Sequence, residues 1–204
     1  MLDIALDLDD TICDTASVIM QKAIEFHQNV LHRELKLLDI NDCEDYFYFA
    51  HRLGWDRDDV CRFFEWCYPY YLKEVKAFKG VAETLRDLRT MNCKIHIITA
   101  RYCSDKENVE QLTKEWLKNN NIVYDTLDIA QRSKTEMIEK YNCKVFVDDS
   151  FKNCCAIKDC LTNTFVMMMN SSYNSNLNRN DIIRVNNWQQ IKNNVIKLKE
   201  VNYE

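Results

Sequence analysis

Leu2, Ile4, Leu6 and Leu8 alternate with Asp3, Ala5 and Asp7 at the start of the chain. That period of two predicts a strand over residues 2 to 8. The period then lengthens: Ile19, Ala23, Phe26 and Val30, within residues 15 to 34, follow the i, i+4, i+7, i+11 spacing of one helical face. Residues 42 to 76 are crowded with aromatics: Tyr46, Phe47, Tyr48, Phe49, Trp55, Phe63, Phe64, Trp66, Tyr68, Tyr70 and Tyr71. Asp56 predicts the N-cap of a helix that ends near Pro69. No strand pattern occurs between residues 15 and 92, so an all-helical insertion is expected there.

Helix and strand patterns alternate from residue 80 onward. Val81, Leu85 and Leu88 predict a helix, and "KIHIIT" a strand ending at Thr99. Val109, Leu112 and Trp116 mark a helix, "YDTLDIA" a weaker strand, and "SKTEMIEKY" a helix opened by a capping box from Ser133 to Glu136. "CKVFVD", "FKNCCAIKDC" and "NTFVMMM" predict strand, helix and strand. A polar loop at 170 to 181, the strand "DIIRV" and a helix bearing Ile191, Val195 and Leu198 follow. Such alternation predicts an α/β fold: a Rossmann-like parallel sheet with helices on both faces.

Composition narrows the function classes. A net charge of -5 argues against a polynucleotide binder, which needs a basic face. No apolar run reaches the roughly 18 residues of a membrane span. The chain opens on an acid-bearing strand rather than a basic, apolar leader, so a cytoplasmic protein is expected, as monomer or homodimer. The 10 cysteines contain no C-x-x-C pair and the 4 histidines are scattered, which points to reduced thiols rather than a zinc site. With only 2 glycines there is no Walker loop and no dinucleotide fingerprint.

Ligands of open parallel sheets bind where the strands end. The first strand runs out in Asp7-Leu8-Asp9-Asp10-Thr11, the second in Thr99-Ala100-Arg101 and the fourth in Asp148-Asp149, while the third leads to Lys134 at a helix start. Acid pair, hydroxyl, lysine and acid pair make a self-consistent phosphoryl-transfer set. Asp10 and Asp14 read as turn and helix-start residues. Cys13 reads as packing, or as a redox-sensitive neighbour of the acids. Arg101 could contact substrate or pair with a surface acid.

This ordered set, DxDxT at Asp7, Thr99, Lys134 and the DD pair at Asp148, resembles the haloacid dehalogenase superfamily of phosphatases across most of the chain. The resemblance implies a core of residues 1–14 and 78–204 and a helical cap of residues 15–77 that covers the site. It makes Asp7 the nucleophile and Asp9 the general acid and base, protonated part of the time. Thr99, with Ala100 beside it, and Lys134 would bind phosphate, supported by Thr11, Arg101 and Asp149. Mg2+ would be held by Asp7, Asp9 through its backbone carbonyl, and Asp148. The strings "DLDDTICDT", "IITAR" and "VFVDDS" look most like the branch of 5'(3')-deoxyribonucleotidases, although Asp10-Thr11 replaces the Gly-Val pair common there. The implied substrate is a small phosphorylated molecule, a (deoxy)nucleoside monophosphate, with another metabolite phosphate as the alternative. A polynucleotide 3'-phosphatase and a non-enzymatic phosphate binder are disfavoured, the first by acidity and the second because every catalytic position is filled. The cap aromatics would either stack on a base or form the cap's own core.

Overall fold

The computed structural model describes residues 1–38, 48–101, 106–131 and 133–201. Tyr46 and Phe47 lie outside them, as do the side chains of Tyr68 and Tyr70. The strands are β1 (Leu2–Leu6), β2 (Cys93–Ile98), β3 (Thr126–Asp128), β4 (Val145–Asp148), β5 (Phe165–Met169) and β6 (Ile183–Val185). They form one sheet in the order β3-β2-β1-β4-β5-β6, and each neighbouring pair is parallel. The helices are α1 (Thr15–Asn29), α2 (Tyr48–Arg52), α3 (Arg57–Glu74), α4 (Val81–Thr90), α5 (Lys106–Asn119), α6 (Thr135–Lys140), α7 (Phe151–Cys160) and α8 (Trp188–Val201).

Both faces of the sheet are buried, which is why its strands are apolar at nearly every position. Ile4, Leu6, Ile95, Ile97, Val145 and Val147 join one core with Leu85 and Leu88 of α4 and Ile191 and Val195 of α8. The alternate residues Ala5, Phe146, Val166 and Met168 join a second core with Ile138 of α6 and with Cys154 and Ile157 of α7. Successive strand residues point to opposite faces, so a single period-two pattern supplies both cores.

Helices α1, α2 and α3 come between β1 and β2, and no strand occurs there among the described residues. Their aromatics pack on one another and continue the first core: Phe26 meets Trp55 edge-on at 5.4 Å and Phe63 at 5.7 Å, and Phe49 lies 5.4 Å from Phe63. Ring pairs of this kind are worth about 0.5–1.5 kcal/mol beyond the area they bury. The starts of two helices match their sequence signals. Asp14 accepts the Ser17 N–H at 3.3 Å to cap α1, and Asp56 accepts the Asp59 N–H at 2.9 Å to cap α3.

Three boundaries differ from expectation. α1 stops at Asn29 rather than 34, because Leu31 N–H turns back to the Phe26 carbonyl and His32 adopts φ 52°. α3 does not end near Pro69 but continues to Glu74. Proline removes one helical hydrogen bond, yet Phe63, Cys67, Tyr71 and Leu72 are buried on both sides of it and hold the helix in place. No capping box opens α6. Lys134 occupies its N-cap with no side-chain cap bond, since that side chain is drawn into the acid cluster described next.

Candidate active site

Strand order locates the site. From β1 the chain moves outward through β2 to β3, then returns to β4 on the other side of β1 and moves outward through β5 to β6. The switch point therefore lies between β1 and β4, where parallel sheets open a crevice beyond their carboxyl ends. Asp7 follows β1 and donates its N–H to the Val147 carbonyl at 2.9 Å; Asp148 ends β4. Residues far apart in sequence thus meet with little freedom.

Lys134, buried at the start of α6, donates to both acids: to Asp7 Oδ1, and to Asp148 Oδ2 at 2.6 Å. Asp148 also accepts the Ser150 N–H at 2.7 Å and Asn153 Nδ2 at 3.0 Å. Thr11 donates its hydroxyl to Asp149 at 3.3 Å, and Trp188 Nε1 donates to the Thr11 carbonyl at 3.0 Å. Burial pushes the Asp7 carboxyl up, with Asp148 adding to the shift and Lys134 opposing it. Burial, Asp148 and Asp7 push Asp149 well above the carboxylate range. Burial alone would lower Lys134, but the two carboxylates raise it above its usual value and keep it charged. A dry pocket holding three acids and one lysine favours any further positive charge.

Asp9 has a different environment. Arg101 Nε donates to its Oδ2 at 2.8 Å and Arg101 Nη2 to its Oδ1 at 2.7 Å, while the Thr15 hydroxyl donates to Oδ1 at 2.6 Å. Although burial opposes it, the Arg101 guanidinium holds this carboxyl below its usual value. Arg101 is itself buried, so its partner is the paired acid of the first motif rather than a surface acid. Its grip favours the charged form of Asp9, against the expectation of partial protonation. The buried Cys13 thiol sits beside this pair, 3.5 Å from Arg101 Nη2, and burial and Asp9 push it well above its usual range. Its burial and raised thiol favour packing over a redox-sensitive role.

The remaining expected residues fall as follows. Thr99 closes β2 one strand away from Asp7, and its buried hydroxyl accepts the Arg101 N–H at 3.2 Å. Ala100 is exposed beside it. Asp10 turns the chain at φ 56° and caps the first turn of α1 by accepting the Ala16 N–H at 2.7 Å. The loop after β5 reaches the site: buried Asn174 donates to the Asp149 carbonyl at 2.7 Å and the Met169 carbonyl at 2.9 Å, and Arg184 braces it at 2.9 Å. Sequence reasoning missed Asn153, Thr15 and Asn174. Asn153 lies on the first turn of the helix after the DD pair, a position that helix geometry could have flagged; for the other two only the tertiary fold gives the signal.

The donor set suits a hard divalent cation. Asp7, Asp148 and Asp149 offer carboxylate oxygens within 4.8 Å of one another, all buried. Magnesium takes oxygen ligands of this kind together with a substrate phosphate.

The model of the family described as 5' nucleotidase, deoxy (Pyrimidine), cytosolic type C matches residues 1–201. The chain belongs to that family. Among curated proteins it is similar to a nucleotidase of Clostridium acetobutylicum, with 26% identity over 202 residues that cover 98% of this chain and 96% of the relative. A haloacid dehalogenase-like hydrolase of Streptococcus pneumoniae has the same fold, with TM-score 0.65 and 12% identity, covering 96% of this chain and 98% of that one. So does a haloacid dehalogenase-like hydrolase of Xanthomonas campestris, with TM-score 0.62, 12% identity and coverage of 100% and 99%. As a member of this nucleotidase family, the protein is an enzyme, a phosphatase acting on a small phosphorylated substrate, built on the fold it shares with haloacid dehalogenase-like hydrolases. No helix among the described residues is long and apolar enough to cross a membrane.

Proposed function

We propose that this enzyme is a magnesium-dependent phosphomonoesterase that hydrolyses (deoxy)nucleoside monophosphates through an aspartyl-phosphate on Asp7. The observation that supports it most is Lys134 held between Asp7 and Asp148 at the switch point, where one cation serves both the attacking carboxylate and the acid of the second pair. In the first half-reaction an Asp7 oxygen attacks phosphorus, the ester P–O bond breaks, and Asp9 gives its proton to the leaving oxygen. In the second, Asp9 takes a proton from water, whose oxygen attacks phosphorus and frees Asp7 and inorganic phosphate.

The Arg101 contact favours the charged, water-activating form of Asp9, so the proton-donating half requires that grip to loosen. Lys134 offsets charge on the phosphoryl oxygens, and Thr99 and the Ala100 backbone bind them. Magnesium, held by Asp7, Asp148, Asp149 and the Asp9 carbonyl, would supply further positive charge to the phosphate. Residues 1–14 and 78–204 act as the core and residues 15–77 as a cap that determines the leaving group.

The nucleotide reading rests on family membership. An open cleft of about 410 Å³ between α1, α2 and the loop after β5 has the size of a small-molecule site. It adjoins the acids through Asp10, although Asp7, Asp9, Lys134 and Asp148 are not part of its lining. The test is a kcat/KM panel of 5'- and 3'-nucleotides against sugar phosphates, with and without Mg2+. Preference for a nucleotide and dependence on the metal are expected; a strong preference for a sugar phosphate overturns the substrate.

A further inference from the structure

Asp10 occupies a backbone conformation that side chains other than glycine seldom adopt, φ 56°, and is only 2% exposed. Its turn and capping duties use one oxygen: Oδ1 accepts the Ala16 N–H. The other, Oδ2, is buried with no hydrogen-bond partner among the described residues. A buried polar atom left unpaired costs about 1–3 kcal/mol, and a glycine here would avoid that cost together with the backbone strain. Turn and cap therefore account for one oxygen of this aspartate and leave the other unexplained. The Ser171 hydroxyl, from the loop after β5, is also buried and unpartnered among the described residues. Asp10 and Ser171 line the same cleft as the apolar surfaces of Met20, Tyr48 and Phe78.

We infer that Asp10 and Ser171 form a polar subsite that recognises a free sugar hydroxyl of the nucleotide leaving group, with Tyr48, Met20 and Phe78 forming the apolar wall of the same cleft. This rests on the nucleotide reading above. Asp10 lies three residues beyond Asp7, at most about 10 Å of extended backbone. The part of a nucleotide that reaches it from a phosphate on Asp7 is the adjoining sugar rather than the base. A hydroxyl both donates and accepts, so it pairs with a carboxyl in either protonation state and with a serine hydroxyl beside it. Sites built to bond a substrate hydroxyl discriminate strongly against analogues that lack it, because their own buried groups are then left unpaired.

The test compares kcat/KM for ribonucleoside, 2'-deoxyribonucleoside and 2',3'-dideoxyribonucleoside 5'-monophosphates of one base, with an aryl phosphate as reference. In the wild type, the dideoxy substrate is expected to fall at least about ten-fold below the better hydroxyl-bearing one. Asp10→Gly, which suits the positive φ, and Ser171→Ala, which leaves the Ala16 contact intact, should each shrink that ratio towards one. Ser171→Ala gives the reading even where Asp10→Gly weakens the fold. Hydrolysis of all three nucleotides at equal kcat/KM by the wild type, or an unchanged ratio in the folded variants, overturns the subsite and leaves the nucleotidase reading standing. Turnover of the aryl phosphate with none of any nucleotide overturns both.

Discussion

Arg101 clasps Asp9 through two parallel contacts, Nε to Oδ2 at 2.8 Å and Nη2 to Oδ1 at 2.7 Å, across 92 positions of sequence. Planar guanidinium matches carboxylate in this way, and lysine cannot reproduce it. Because the arginine is almost wholly buried, removing it leaves an uncompensated acid in the interior. Arg101→Met is therefore expected to destabilise the fold by about 3–5 kcal/mol. The double variant Arg101→Met, Asp9→Asn should recover part of that loss. Urea unfolding of the wild type and these two variants checks this, and equal losses in the single and double variants would show that the pair is not what stabilises the region.

Lys134 separates the Asp7 and Asp148 carboxylates from each other's repulsion. Lys134→Met should lower kcat by about 10²–10³, the usual cost of losing one such electrostatic donor. A divalent cation takes over the missing charge, so added Mg2+ should raise the thermal midpoint of Lys134→Met more than that of the wild type. A thermal-shift titration reads this directly, and a smaller shift in the variant contradicts it.

Asp7→Asn keeps the shape of the side chain but removes its charge and the oxygen proposed as nucleophile. Hydrolysis of an aryl phosphate should fall to background. Because Asp7 is also one of three clustered oxygen donors, Mg2+ should stabilise this variant less than the wild type. Retained turnover would remove Asp7 from the nucleophile's role.

The Asp10 carboxyl is pushed up from 3.8 to about 8, first by burial and then by the neighbouring acids, against the Ala16 N–H. Between those values the folded chain keeps a proton that the unfolded chain has released. Stability of the metal-free protein should therefore fall as pH rises from about 4 to about 8, by at most about 1.4 kcal/mol per pH unit for this one group. Asp10→Asn preserves the Ala16 contact and should flatten the slope. The remainder comes from Asp7 and Asp149, which burial also raises. Urea midpoints at four pH values settle the sign.

Periodicity carried most of the fold. Strands such as "CKIHII" and "VFVD" are apolar because both faces are covered, and that signal is local. The alternation of the two periods then implies parallel pairing. What periodicity could not locate was decided by distant contacts: Pro69 stays inside α3 because the residues around it are buried, and Ser133 does not cap α6 because Lys134 turns towards the acids. The site shows the same division. The strand-end acids and Lys134 stood out as a set by type and order. Arg101 was ambiguous, since its partner could be found only once β2 lay beside β1. Asn174 looked like one more polar loop residue, and its hold on the Asp149 carbonyl exists only in three dimensions.

The same geometry bears on folding. Lys134 reaches Asp7 across 127 positions, Thr11 reaches Asp149 across 138, and each contact requires β1 and β4 to be paired already. Contacts so remote in sequence form late, because loop closure must precede the contacts that reward it. Until then the acids meet no lysine, and a partly built sheet brings like charges together with nothing between them. The centre thus opposes its own assembly until β4 is in place beside β1. Turnover accordingly reports completed folding, and a chain cut before β4 is expected to be inert however much of its first half has collapsed.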